Sequence, residues 1–126
     1  MKKILIADDS STARMIVKRC LEMLGFKDAK FIEAKDGSEA LAMALKEIPD
    51  LIVADLNMPN MDGEAMLKGL KENATTLNLP VIIASSAVNP VRIERLTGLG
   101  AYGIIAKPVS PATLRQAMGA LAQVGA

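Results

Sequence analysis

Short runs of uninterrupted apolar residues, each ending in a polar group, constrain this chain more than any other feature. Leu51-Ile52-Val53-Ala54 runs into Asp55, and Val81-Ile82-Ile83-Ala84 runs into Ser85. Neither alternates apolar with polar, as a half-solvated strand does; a short strand is apolar throughout when both faces of its sheet are covered. Ile4-Leu5-Ile6-Ala7 before Asp8-Asp9, and Ile104-Ile105-Ala106 before Lys107-Pro108, repeat the arrangement. Longer amphipathic stretches separate the runs, so the chain reads as successive βα units around a parallel sheet. Strands are expected near residues 3–7, 29–33, 51–54, 81–85 and 102–106, and helices over roughly 12–24, 37–47, 63–72, 90–98 and 111–122. Right-handed crossovers place helices on both faces of such a doubly wound α/β sheet. Local punctuation agrees. Gly25 follows the first helix where a left-handed cap is needed, and Pro49-Asp50 separates the second helix from the third strand. Asn89-Pro90 and Ser110-Pro111 each read as an N-cap followed by proline at the first helical position. With no linker or low-complexity segment, residues 1–126 read as a single domain.

Composition narrows the function classes. The net charge of +1, with no basic run, supplies no electrostatic footprint for nucleic acid or a membrane surface. The apolar stretch after Lys2-Lys3 stops at Ala7, too short for a signal core or a membrane span, so the protein reads as cytoplasmic. Histidine is absent, which excludes histidine-ligated metals, imidazole bases and a phosphohistidine carrier in this chain. The single Cys20 falls at helical spacing with Ala13, Ile16, Val17, Leu21 and Leu24 and reads as a small buried hydrophobe.

In open α/β sheets, ligands bind beyond the carboxyl ends of the strands. Asp8, Asp9, Asp55, Ser85 and Lys107 all fall at that edge. Singly, each has a plain explanation: Asp8 or Asp9 can cap the helix beginning near Ser11, and a lone lysine is usually a solvated charge. Four strands each placing a polar group just past an apolar run make a site. Two carboxylates about 5 Å apart repel by roughly 3 kcal/mol at an effective dielectric near 20, so three together either raise a pKa or recruit a cation. Oxygen donors without His or Cys select a hard ion, Mg²⁺ first and Mn²⁺ as a substitute. Lys107 balances part of the acidic charge and can pair with an arriving phosphoryl group, and Ser85 offers it a hydroxyl. Asp55, on the central strand, is the natural nucleophile, since carboxylates form acyl phosphates.

These segments resemble the response-regulator receiver domain, in particular its stand-alone chemotaxis type. The matching stretches are Ile6-Ala7-Asp8-Asp9-Ser10, Asp55-Leu56-Asn57-Met58-Pro59-Asn60-Met61-Asp62-Gly63, Pro80 to Ser86 and Lys107-Pro108. The resemblance implies a flavodoxin-like sheet with strand order 2-1-3-4-5. It also implies that Asp55 is the phosphoacceptor, that Asp9 and Asp55 ligate Mg²⁺, and that Asp8 acts through water and Asn57 through its backbone carbonyl. Ser85 would be the switch hydroxyl and Lys107 the phosphate-pairing lysine, joined to Pro108 by a cis bond. The phosphodonor would be a phosphohistidine on a sensor histidine kinase. The output would be a changed affinity for a downstream protein, without small-molecule turnover of its own. Ala87 and Asn57 would flank the hydrolytic water, and the small Ala87 implies a short phosphoryl lifetime.

One position departs from the family. Its usual fifth-strand aromatic is Ile104 here, and the only tyrosine, Tyr102, lies two residues earlier, on the same side of an extended strand. The family's output face, formed by the fourth helix, fifth strand and fifth helix, would draw on Val88, Ile104, Ala106, Val109, Ala117 and Met118, some of which must instead face the core. Met15, Met23, Met43 and Met66 read as flexible core filling. The chain is expected to be a monomer, open to phosphorylation-dependent dimerisation. A phosphorelay intermediate, or a receiver excised from a larger regulator, fits the same motifs. A flavodoxin-like electron carrier is disfavoured because Asp8-Asp9 would repel its flavin phosphate. An aspartate-nucleophile phosphohydrolase is disfavoured because its acids are spaced Asp-x-Asp after the first strand.

Overall fold

The apolar runs are the strands of one parallel sheet in the structure, a computed structural model describing residues 1–121. β1 (Lys3–Ala7), β3 (Leu51–Asp55) and β4 (Val81–Ser85) form its centre, with β2 (Lys30–Ala34) and β5 (Gly103–Ala106) at the edges. The order is β2-β1-β3-β4-β5, all neighbours parallel, as the resemblance implied. The crossovers are α1 (Ser11–Leu21), α2 (Gly37–Glu47), α3 (Gly63–Lys71) and α4 (Pro90–Gly98), and α5 (Pro111–Met118) follows β5.

Strand alternation sorts the apolar side chains into two cores. Ile4, Ile6, Leu51, Val53, Ile82 and Ala84 meet Val17, Cys20 and Leu21 of α1 and Leu114 and Met118 of α5. Leu5, Ala7, Ile52, Ala54, Val81 and Ile83 meet Ala40 and Ala44 of α2, Met66, Leu67 and Leu70 of α3, and Leu96 of α4. Removing each large side chain from water contributes roughly 1.5–3 kcal/mol, so both faces of the central strands must be apolar. Among the described residues no helix is long and apolar enough to cross a membrane.

Several expectations change at element ends. The N-cap of α1 is Ser10, whose hydroxyl accepts the Ala13 amide at 3.2 Å, rather than Asp8 or Asp9. The backbone stays helical past Leu21, and the kink falls at Gly25, whose φ of 107° is the left-handed value that favours glycine, as expected there. Asn89 and Ser110 cap α4 and α5 as expected, each followed by proline. The last helix ends at Met118, before Gly119 with φ 54°, and the expected residue 122 lies outside the described residues. β5 begins at Gly103, leaving Tyr102 just before it. Of the methionines, Met66 is buried and Met43 packs against a core, but Met15 (47%) and Met23 (76%) are exposed, so they fill no interior gap. The Lys107–Pro108 bond is cis.

Candidate functional site

The strand ends bring the expected residues together at one edge of the sheet. Asp55 closes β3, Asp8 and Asp9 follow β1, Ser85 closes β4 and Lys107 follows β5. Asp8, Asp55 and Ser85 are buried, whereas Asp9 is exposed. Carboxylate oxygens of Asp8, Asp9 and Asp55 lie within 4.8 Å of one another. Lys107 Nζ donates to Asp8 Oδ2 at 2.9 Å and sits 3.3 Å from Asp55 Oδ1. Three carboxylates facing one ammonium leave a formal excess of negative charge.

The titration behaviour follows from this arrangement. Burial pushes the Asp55 carboxyl above the ordinary range, and the Asp8 charge adds to the rise; Lys107 and the Asn57 amide oppose it. Burial works against the Lys107 charge, but its hydrogen bond to Asp8 and the Asp55 and Asp8 charges outweigh it and raise its pKa. An all-oxygen cluster of this kind fits a hard divalent cation. Asp8 Oδ1 already accepts the Ser10 amide at 2.9 Å and Oδ2 accepts Lys107. Asp9 has no such partner among the described residues, so it is the carboxylate freest to turn toward an ion.

Local backbone explains why Asp55 stands where it does. After β3 the chain turns sharply, with Leu56 N–H donating to the Ala84 carbonyl and Gly63 N–H to the Leu56 carbonyl. A Cβ on Gly63 would fall 2.6 Å from the Asp55 backbone carbonyl oxygen, so only glycine lets α3 start this close to the end of β3. The far side of the loop is tied to α2. Gly37 N–H donates to the Met61 carbonyl at 2.9 Å, and Asn60 Nδ2 to Asp36 Oδ2 at 2.8 Å. Asn57 is exposed on this turn.

Three participants escaped the sequence reading. Arg14 Nη1 donates to the Asp8 carbonyl at 2.6 Å while its Nε pairs with Glu33, fixing the turn that carries Asp8 and Asp9. Arg92 Nη1, on α4, reaches the Ala87 carbonyl at 3.0 Å and Ser85 Oγ at 3.5 Å. Gly63 is the third. Both arginines act through backbone carbonyls, which no side-chain motif marks. Gly63 lies inside the quoted Asp-Gly pair, but its clash with Asp55 depends on the tertiary turn.

The expected switch and output residues separate. Ile104 is half-buried and packs on the α2–α3–α4 side. Tyr102 is 46% exposed, and its hydroxyl lies 3.9 Å from where a Gly119 Cβ would stand, over the end of α5. Val88 is half-buried and Ala106 exposed, while Met118 is fully buried in the α1–α5 core. Val109 also packs on that core. It lines a cavity of about 390 Å³ walled by Ala13, Ile16 and Val17, with Asp8, Asp55 and Lys107 at its polar end.

Comparison with known proteins points to one family. The response regulator receiver domain family matches residues 4–119. Chemotaxis protein CheY-3 of Vibrio cholerae is 40% identical over 114 residues, covering 90% of this chain and 86% of that protein. A probable chemotaxis protein CheY of Rhizobium etli is 31% identical over 119 residues, covering 94% and 91%. The structure of the chemotaxis response regulator CheY4 of Vibrio cholerae superimposes with a TM-score of 0.83 at 31% identity, over 96% of this chain and 98% of that one.

Proposed function

The chain belongs to the response regulator receiver domain family, the receiving module of two-component signalling, and from that premise we propose that Asp55 accepts a phosphoryl group and thereby switches affinity for a protein partner. The observation that carries the reading is the shared edge at which buried Asp55 meets Asp8, Asp9 and Lys107. Asp55 attacks phosphorus in line; the P–N bond to the donor's imidazole breaks, a P–O bond to the carboxylate forms, and the imidazole leaves as the neutral ring after taking a proton. Lys107, released in part from its carboxylates, pairs with the phosphoryl oxygens, and Ser85 donates its hydroxyl to one of them. Asp9 and Asp55 would hold Mg²⁺, with the Asn57 carbonyl and, through water, Asp8. The ion would supply charge neutralisation at the transferring oxygens. Hydrolysis returns Asp55 to the carboxylate and releases phosphate; Ala87, small and exposed beside the site, leaves the attacking water unobstructed.

The donor is a phosphohistidine on a separate sensor histidine kinase in the cytoplasm, and the output is control of chemotaxis or motility. The similarity to chemotaxis proteins from two organisms supports this choice. The module turns over no separate small molecule. The partner meets α4, the open edge of β5 and α5, where Val91, Ile93 and Tyr102 are exposed.

Beryllium fluoride, a phosphoryl mimic, tests the reading. With Mg²⁺ it should raise the thermal midpoint of the wild type by several degrees and leave Asp55→Asn unchanged, because only a carboxylate can ligate beryllium there. Equal shifts in both proteins would place the anion elsewhere.

A further inference from the structure

Ser85 has an unusual hydrogen-bond inventory for a fully buried hydroxyl. A serine Oγ has two lone pairs and one proton. The Ala87 amide donates to one lone pair at 3.1 Å, and Arg92 Nη1 approaches the other at 3.5 Å. Both acceptor positions are then occupied, and no acceptor among the described residues takes the proton. Arg92 Nη1 has two hydrogens and also donates to the Ala87 carbonyl at 3.0 Å. One nitrogen therefore holds both the hydroxyl and the turn that presents it.

The position of this contact in the sheet matters. By alternation along β4, Ser85 continues the series Val81, Ile83 that faces α4, whereas Asp8 and Asp55 continue the series facing α1 and α5. Ser85 thus stands between the carboxylates and α4. That helix is lightly anchored. It buries only Leu96, and its other side-chain ties are the exposed Arg95–Glu64 pair at 2.6 and 2.9 Å and the Arg92 contact. The Asn89 cap fixes Arg92 at the third residue of the helix, accepting its amide at 2.8 Å, so the guanidinium moves with the first turn of α4.

Resting on the phosphoacceptor reading above, we propose that Arg92 is a positioning residue for phosphoryl transfer: through its bond to the Ala87 carbonyl and its longer contact with Ser85 Oγ it locks the Ser85–Ala87 turn and orients the hydroxyl to donate its proton to a phosphoryl oxygen on Asp55. A hydroxyl held as a pure donor does not have to break an internal bond when the anion forms. The charge of Arg92 also makes it a stronger donor. Because Arg92 belongs to α4, whatever displaces α4 also disturbs that donor, which ties the partner face to the chemistry of the site.

A double-mutant cycle tests this by acting through Ser85 alone. Wild type, Arg92→Ala, Ser85→Ala and the double variant are treated with phosphoramidate and Mg²⁺, and the rate of phosphoryl gain is followed by intact mass. Circular dichroism confirms that each is folded, and Arg92→Gln replaces Arg92→Ala if the latter is not. Arg92→Ala should slow the wild type by about three- to tenfold, the effect of one hydrogen bond, and should have no effect once Ser85 is alanine. An equal loss in both backgrounds, or no loss in the first, overturns the inference while the wild type still gains a phosphoryl group. A wild type that gains none overturns the phosphoacceptor reading and this inference with it.

Discussion

Asp9 is the exposed member of the acidic triad and the one outside the Lys107 ion pairs. Its charge adds to the repulsion within the triad, which a bound cation would relieve. Asp9→Asn should raise the metal-free thermal midpoint by roughly 2–5 °C, since solvent screens much of the repulsion. The same change should weaken Mg²⁺ binding at least about tenfold, measured by calorimetric titration. A variant less stable than wild type without metal would contradict the charge account. Asp8, Asp55, Ser85 and Lys107 were legible in the sequence for one reason: each directly follows an apolar run, and strand direction carries all of them to one edge. Arg14 and Arg92 were not legible, because an arginine on an amphipathic helix looks the same whether it faces water or reaches a backbone carbonyl. Met15 and Met23 were misread for the converse reason. Methionine's packing value says nothing of which helix face it occupies.

At the scale of elements, the loop bearing the site is held by the start of α2 as much as by α3. Asp36 caps α2 by accepting the Glu39 amide at 2.7 Å and also accepts Asn60, whose φ of 65° marks the tightest point of the loop after β3. The Glu39 amide and then Asn60 hold the Asp36 carboxyl below the usual carboxylate range. A depressed carboxylate stabilises the fold above its ordinary pKa, and that contribution disappears as pH falls through the folded value. Wild type should therefore melt above Asp36→Asn near neutrality, with the gap steady down to about pH 5 and narrowing as pH drops from there to about 2. A gap constant across that range would show that the ionised form is not what matters. The elements themselves were largely legible, because apolar runs and Asn-Pro or Ser-Pro caps are local signals. Gly25 likewise marks the kink that follows the first helix, because its φ of 107° suits glycine. The strand expected to start at Tyr102 starts at Gly103, although the Tyr102 amide already donates to the Val81 carbonyl of β4 at 2.8 Å.

At the scale of the whole molecule, the sheet order sets Asp55, the proposed acceptor, apart from the other two carboxylates. A 2-1-3-4-5 order puts β3 at the centre, flanked by β1 with Asp8 and Asp9 and by β4 with Ser85, while β5 brings Lys107 in from the next position. Asp55 alone has acidic neighbours on one side and a hydroxyl and an ammonium on the other. Both cores pack beneath it, while α4 buries one residue, fewer than any other α-helix. That division, a packed strand edge beside a lightly held helix, suits the proposed phosphorylation-driven switch. The most direct test is intact mass after acetyl phosphate, with and without Mg²⁺, on wild type and Asp55→Asn. The account predicts one added phosphoryl group, only with metal and only in the wild type. Addition without metal, or addition to Asp55→Asn, would contradict it.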